Sequence, residues 1–260
     1  MVQKPLLAVE RQRLILEILA REGVVRNAEL KELLNVSLVT IRADLRELES
    51  QAALEIVHGG AVSRRPASDS EQLLDERSRE HPDSKRRMGA RAAQMVKDDQ
   101  TIIVDAGSTT VELVNCLSPD LEYLQIVTHG LNIALAASRH PAVEVVVPSG
   151  IVRPMTLAIV GPQVVSFYEM VNADCVFLAA NGFSPEYGLT TSNMLEVAVK
   201  RAIVQRAECV VLLADSSKFG KRHSLTIVPM DSIHTLITDK DLADADAARL
   251  ERIGIEVIRV

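Results

Sequence analysis

Long apolar runs are what this chain of 260 residues most plainly lacks. No stretch approaches the roughly 20 consecutive apolar residues that span a bilayer. The opening "MVQKPLLAVERQ" has neither the apolar run nor the small-residue cleavage site of a secretion signal. A cytoplasmic protein with no membrane partner is therefore expected. Cysteine is scarce as well. Cys116, Cys175 and Cys209 are odd in number, far apart and set among apolar neighbours, which argues against a disulfide framework or a metal cluster and predicts buried thiols. No metal and no cofactor are expected. Internal repeats and low-complexity segments are also missing, and the 47 % of hydrophobic residues suffices for one large domain, or for a large and a small one.

Net positive charge is lacking too, since the formal charge is −6, but the imbalance is uneven. Residues 1–65 hold 10 Lys+Arg against 9 Asp+Glu, whereas residues 66–260 hold 19 against 26. A DNA reader needs a local basic surface rather than a basic chain, so the acidity of the second part does not exclude one.

The apolar periodicity breaks at "AVSRRPASDS", residues 61–70, where Pro, Ser and charges cluster. Three helical patterns precede the break. Residues 10–22 carry Leu14, Ile15, Ile18 and Leu19 on one stripe; residues 28–34 carry Leu30, Leu33 and Leu34 behind Asn27 as a cap; residues 37–50 carry Ile41, Leu45 and Leu48. Only Asn35 and Val36 separate the last two, and so short a connection forces the sharp crossing of a helix-turn-helix. The following "ALEIVHGGAVSR" reads as a two-stranded hairpin turning at Gly59-Gly60. Three helices and a hairpin make a winged helix. On its third helix, 100° per residue places Val39, Arg42, Ala43 and Arg46 opposite the apolar stripe. Two outward guanidinium groups one turn apart meet either a partner or only water.

After a helical stretch around residues 84–96, the chain alternates strand and helix patterns. The runs "TIIVDAG", "YLQIVTHG", "VEVVVPSG", "DCVFLAANG", "CVVLLADSS", "TLITD" and "IEVIRV" are rich in Val and Ile, as strands of a mostly parallel sheet are. The expected organisation is a winged helix-turn-helix over 1–62, a linker over 63–83 and a larger α/β domain over 84–260. Binding residues in such a domain collect at the carboxyl ends of strands. "DAGSTT", 105–110, leaves a strand and enters a helix, with Gly107 allowing a tight turn and Ser108, Thr109 and Thr110 offering hydroxyls beside free amides. The plainer alternative is that these hydroxyls only cap the helix. Thr128–Gly130, Ser149–Arg153, Asn181–Phe183 and Asp215–Lys218 follow other strands and are expected to meet in the same crevice. His129 alone reads as a hydrogen-bonded loop histidine and Arg153 alone as a solvated charge.

Taken in order, "ERQRLILEILAREGVV", "NVSLVTIRADLRELE", "VHGGAV", "ERSREHPDSKRRMGARAAQMV", "DAGSTT", "VTHGLNIALA", "GIVRPMTLAIVG" and "LLADSSKFGK" resemble the DeoR family of bacterial transcriptional regulators across nearly the whole chain. One departure is Ala43, where the family usually has a second arginine within the segment occupied here by "TIRADL". The resemblance implies a repressor of sugar-catabolism genes, released from double-stranded operator DNA by a phosphorylated sugar. It assigns Ser37, Val39, Thr40, Arg42, Ala43, Arg46 and the wing residue His58 to DNA. Asp105, Gly107, Ser108, Thr109, Thr110, Thr128, Gly150, Arg153 and Lys218 fall to the effector. A homodimer or homotetramer is expected, because half-site readers pair. Pure protein interaction by the winged helix is a further alternative.

The family's sensor domain is similar in fold to ribose-5-phosphate isomerase, which supplies the rival expectation of an enzyme. A gapless overlay of "VKRAIVQRAECVVLLADSSK" puts Lys200 where the isomerase has its catalytic glutamate, and "GLTTSN" lacks the isomerase's lysine. Proton transfer between sugar carbons requires a positioned base, so binding without chemistry is the expectation. Glu196 is expected to face solvent or to pair with Lys200 at i, i+4.

Overall fold

A computed structural model describes residues 7–22, 24–50, 54–57, 59–63 and 73–260. The chain forms two compact units, residues 1–70 and 71–260.

In the first unit, helix Ala8–Glu22 is followed by Asn27–Leu34 and Leu38–Ser50. Ile15, Leu19, Leu30, Leu34, Ile41, Leu45 and Leu48 are buried together, so each helix turns its apolar stripe inward. Leu33 departs from the expected stripe: it is 67 % exposed, one residue short of the buried side. Asn35 closes the second helix in the left-handed region, φ 50°, and Ser37 Oγ then accepts from the Thr40 amide at 3.1 Å to cap the third. Asn27 is not the cap expected, because Arg26 holds that position and makes no side-chain capping bond. The hairpin strands Leu54–Val57 and Gly60–Ser63 are joined by a third, Val24–Arg26, giving an antiparallel sheet with Gly60–Ser63 in the centre. Gly60 is required there, since a Cβ would fall 2.0 Å from the Val25 carbonyl oxygen.

The second unit is built on seven parallel strands. Across the sheet they run Glu256–Arg259, Thr235–Thr238, Ala207–Leu213, Ala173–Ala179, Gln100–Val104, Leu124–Val127 and Val143–Val146. Each of the seven Val- and Ile-rich runs supplies one strand. Side chains alternate between two cores, as a strand period of two dictates. Ile103, Val176, Leu178, Val210 and Leu212 face one core with helices Pro162–Tyr168, Met194–Val204 and Asp244–Glu251. Ile102, Val104, Phe177, Val211 and Leu213 face the other with Pro82–Ala93, Thr110–Asn115 and Leu131–Ala137. Of the three thiols expected inside, Cys175 is buried while Cys116 and Cys209 are only partly covered.

Strand order reverses between Gln100–Val104 and Ala173–Ala179, so the chain departs in opposite directions from these neighbours and leaves a crevice at their carboxyl ends. Two accessory sheets and a helix were not legible as strands or helix in the sequence. They are Gly182–Ser184 with Gly188–Thr191 and Leu225–Thr226, the pair Ile151–Val152 and Ile159–Val160, and helix Leu74–Arg79. The margins of the main sheet carry exposed charge, Glu144 at one and Glu256 and Arg259 at the other.

Candidate functional site

The outward face of helix Leu38–Ser50 is the first place to look. Val39, Arg42, Ala43 and Arg46 are all exposed, Val39 at 76 %. Neither Arg42 nor Arg46 pairs with a carboxylate among the described residues. Asp44, one position round, is buried instead, where it accepts from Arg11 Nε at 2.8 Å and from Arg11 Nη2 at 3.1 Å. That two-pronged bond fixes the third helix to the first, so the outward arginines project from a braced element. The hydroxyls of Ser37 and Thr40 bond each other at 2.9 Å, and that of Ser37 also accepts from the Thr40 amide in the cap. His58 lies outside the described residues.

In the second unit the crevice is lined by Gly107, Ser108 and Thr109 from one strand end, Asn181 from the next, and Asp215 and Lys218 from a third. Glu196 and Lys200 come from helix Met194–Val204, and Arg77 and Lys85 from the two helices that precede the sheet. Gly107 is needed for close approach: a Cβ there would stand 2.8 Å from Ala179 Cβ. The helix-cap reading of the loop hydroxyls fails at Thr109, which occupies the cap position and makes no side-chain capping bond.

Asp105 forms the floor. It is fully buried, and Oδ2 accepts from Lys200 Nζ at 2.5 Å and from the Ala179 amide at 2.9 Å. His129 Nε2 lies 3.3 Å from Oδ1, and the other ring nitrogen meets the Tyr168 hydroxyl at 3.1 Å. Burial pushes the Asp105 carboxyl up, but Lys200 and His129 outweigh it and hold the carboxyl down at about 2. Lys200 Nζ also donates to the Ala179 carbonyl at 2.7 Å, so the ion pair ties the two strands at the reversal.

Several expected effector residues serve the scaffold. Thr110 is fully buried and donates to the Asp105 carbonyl at 2.7 Å. Thr128 is fully buried and donates to the Val104 carbonyl at 2.7 Å. Gly150 packs on the small hairpin, where a Cβ would sit 2.7 Å from Ile159 Cγ2. Arg153 is not the solvated charge expected of it alone: its Nη1 donates to Glu196 Oε1 at 2.5 Å. Glu196 is accordingly buried and bound to Arg153, not turned to solvent or joined to Lys200. Arg77, Lys85 and Asn181 complete the crevice, and the first two were visible beforehand only as part of "ERSREHPDSKRRMGARAAQMV".

A winged helix-turn-helix with a braced, exposed basic face, carried in one chain with an α/β unit that has a cation-lined crevice at its strand reversal, defines a two-part transcriptional regulator. The chain belongs to the DeoR family. Residues 11–67 match the DeoR-like helix-turn-helix domain and residues 80–240 match the DeoR C terminal sensor domain. It is 35 % identical over 254 residues to the HTH-type transcriptional regulator GlpR of Haloferax volcanii, covering 97 % of this chain and 98 % of that protein. It is 32 % identical to GolR of Listeria innocua, covering 95 % and 97 %. Among solved structures, ribose 5 phosphate isomerase A from Neisseria gonorrhoeae matches with a TM-score of 0.38 and 15 % identity, over 59 % of this chain and 57 % of that one. The chain is therefore a DNA-binding transcriptional regulator. Among the described residues, no helix is long and apolar enough to cross a membrane.

Proposed function

We propose that the chain is a cytoplasmic repressor of sugar-catabolism genes that binds operator DNA as a homodimer or homotetramer and lets go when a phosphorylated sugar enters the crevice. The observation that carries this reading is the convergence of Ser108 and Thr109 with Arg77, Lys85 and Lys218 at the strand reversal. Hydroxyls and cations around one concave site suit a phosphate, while Asn181, Glu196 and Asp215 offer groups for sugar hydroxyls. Asp105 is spent on Lys200 and the Ala179 amide, so its part is to hold the floor.

Thr109→Val removes a donor while preserving shape, and Lys218→Met removes a charge while keeping most of the stem. Both variants should raise the sugar phosphate concentration needed to release DNA and leave operator affinity intact. Equal responses to a sugar and its phosphate in titrations of the protein–DNA complex would reject the phosphate site. Thermal shift offers a direct screen, since a ligand at 100 times its Kd stabilises by about 2.7 kcal/mol.

The same crevice speaks against the enzyme reading. Lys200, which the gapless overlay puts opposite the isomerase base, is buried and bound to Asp105, and Glu196 is bound to Arg153. Neither group is poised to shuttle a proton between sugar carbons. Incubation with ribose 5-phosphate should give no isomerisation above buffer. Turnover that disappears in Glu196→Gln would restore the enzyme reading.

A further inference from the structure

The crevice has one wall that does not come from the sheet. Helix Leu74–Arg79 is the first element after residues 1–70, the unit that holds the helix-turn-helix. It is anchored at its start, where Leu74 is buried and its amide donates to the Met155 carbonyl at 2.8 Å. Near its other end, Arg77 lines the crevice. Arg77 Nη1 donates to Asn181 Oδ1 at 2.9 Å, while Nε is buried with no hydrogen-bond partner among the described residues. A buried guanidinium N–H without an acceptor is costly, and the fork of Nε and Nη matches two oxygens of a phosphate. Lys85, from the following helix, donates from Nζ to the carbonyl of Arg77 itself. Lys218 stands 3.6 Å from Glu80, the residue just past the helix.

Resting on the proposal that the crevice takes a phosphorylated sugar, we infer that Arg77 grips the anion through its unpartnered Nε edge and thereby makes helix Leu74–Arg79 the element that reports occupancy towards the DNA-binding unit. Two residues of one short segment are tied to the crevice: Arg77 by its side chain and its carbonyl, and Glu80 by its pairing with Lys218. An anion bridging Arg77, Lys85 and Lys218 competes with the Lys85–Arg77 carbonyl bond and with the Lys218–Glu80 pair, so binding repositions the segment that leads back to residue 70. Burial already pushes the Lys85 ammonium below its ordinary value, with Asp215 opposing, so a neighbouring anion favours its charged form. A ligand that bears differently on two positions of one element shifts their populations, which is the requirement for coupling.

The full chain, bound to a DNA fragment it has selected from a random pool, is titrated with inorganic phosphate, ribose 5-phosphate, fructose 6-phosphate and glucose 6-phosphate. Binding is followed by thermal shift and release by anisotropy. Arg77→Gln should weaken binding of every responding probe by about tenfold or more and move the release midpoint with it. Arg77→Lys should recover part of that loss. Arg79→Gln, the same charge change on the same helix at an exposed site, should do neither, and should leave DNA affinity without probe unchanged. Hydrogen exchange should show amides of residues 74–79 responding to the probe in the unaltered chain and not in Arg77→Gln. If Arg77→Gln binds and releases like Arg79→Gln, the role assigned to Arg77 is wrong while the crevice stands. If the unaltered chain responds to none of the four probes, the crevice reading itself falls.

Discussion

Asp105→Asn will destabilise the second unit by about 3 to 5 kcal/mol, the usual consequence of leaving one member of a buried ion pair without its counter-charge. Lys200 is buried, and the asparagine amide cannot both accept from the Ala179 backbone and neutralise the ammonium. Urea unfolding of the variant checks the magnitude, and a loss below about 1 kcal/mol would show the pair to be incidental. Lys200→Met added to Asp105→Asn should lose less than the two single changes together, because the stranded charge is gone. The pH dependence has a defined sign. The carboxyl is held at about 2 in the folded chain, below its ordinary value of 3.8. Its contribution, roughly 2 kcal/mol, is fully present above the unfolded value and is lost as pH falls through the folded one. The acid limb of the stability curve should therefore be shallower in Asp105→Asn between about pH 4 and pH 2.

The second large effect concerns DNA. Arg42→Ala should cost roughly 1 to 3 kcal/mol of operator affinity and relax preference at a single base pair, as loss of a bidentate contact to guanine does. Arg46→Ala should weaken all sequences alike and flatten the dependence of affinity on salt by about one unit, the signature of one phosphate contact. The exposed, braced face on which both residues stand motivates the pair. Binding unchanged in both variants at moderate salt would remove helix Leu38–Ser50 from the interface. Loss of salt dependence from neither would favour a protein partner instead.

How far these features could be read from the sequence follows from the range of the interactions that make them. The seven sheet strands and the three helices of the first unit were legible because each has enough residues for its period to show, as in Ile102, Ile103 and Val104 facing alternate cores. Val24–Arg26 was not, since three residues with one buried side chain display no period. Gly107, Ser108, Thr109, Asp215 and Lys218 were legible as strand-end residues, and they do share one crevice. Pairings were another matter. Four residues apart on a helix, Glu196 and Lys200 invite a local ion pair, yet Glu196 reaches Arg153 and Lys200 reaches Asp105, 95 positions earlier in the chain. Both side chains point into the protein, where distant opposite charges outweigh the neighbour on the helix. Thr110 and Thr128 likewise look like ligand donors by type and place, and only their backbone acceptors reveal them as loop braces.

The charged margins of the main sheet bear on how copies of the chain avoid and meet each other. A parallel sheet open at both ends is a template for indefinite growth, one copy stacking its border strand on the next. Glu144 on one border strand, and Glu256 with Arg259 on the other, are exposed. Growth by that route would crowd or desolvate these charges. Charge on both border strands therefore disfavours fibre-like polymerisation through the sheet edges.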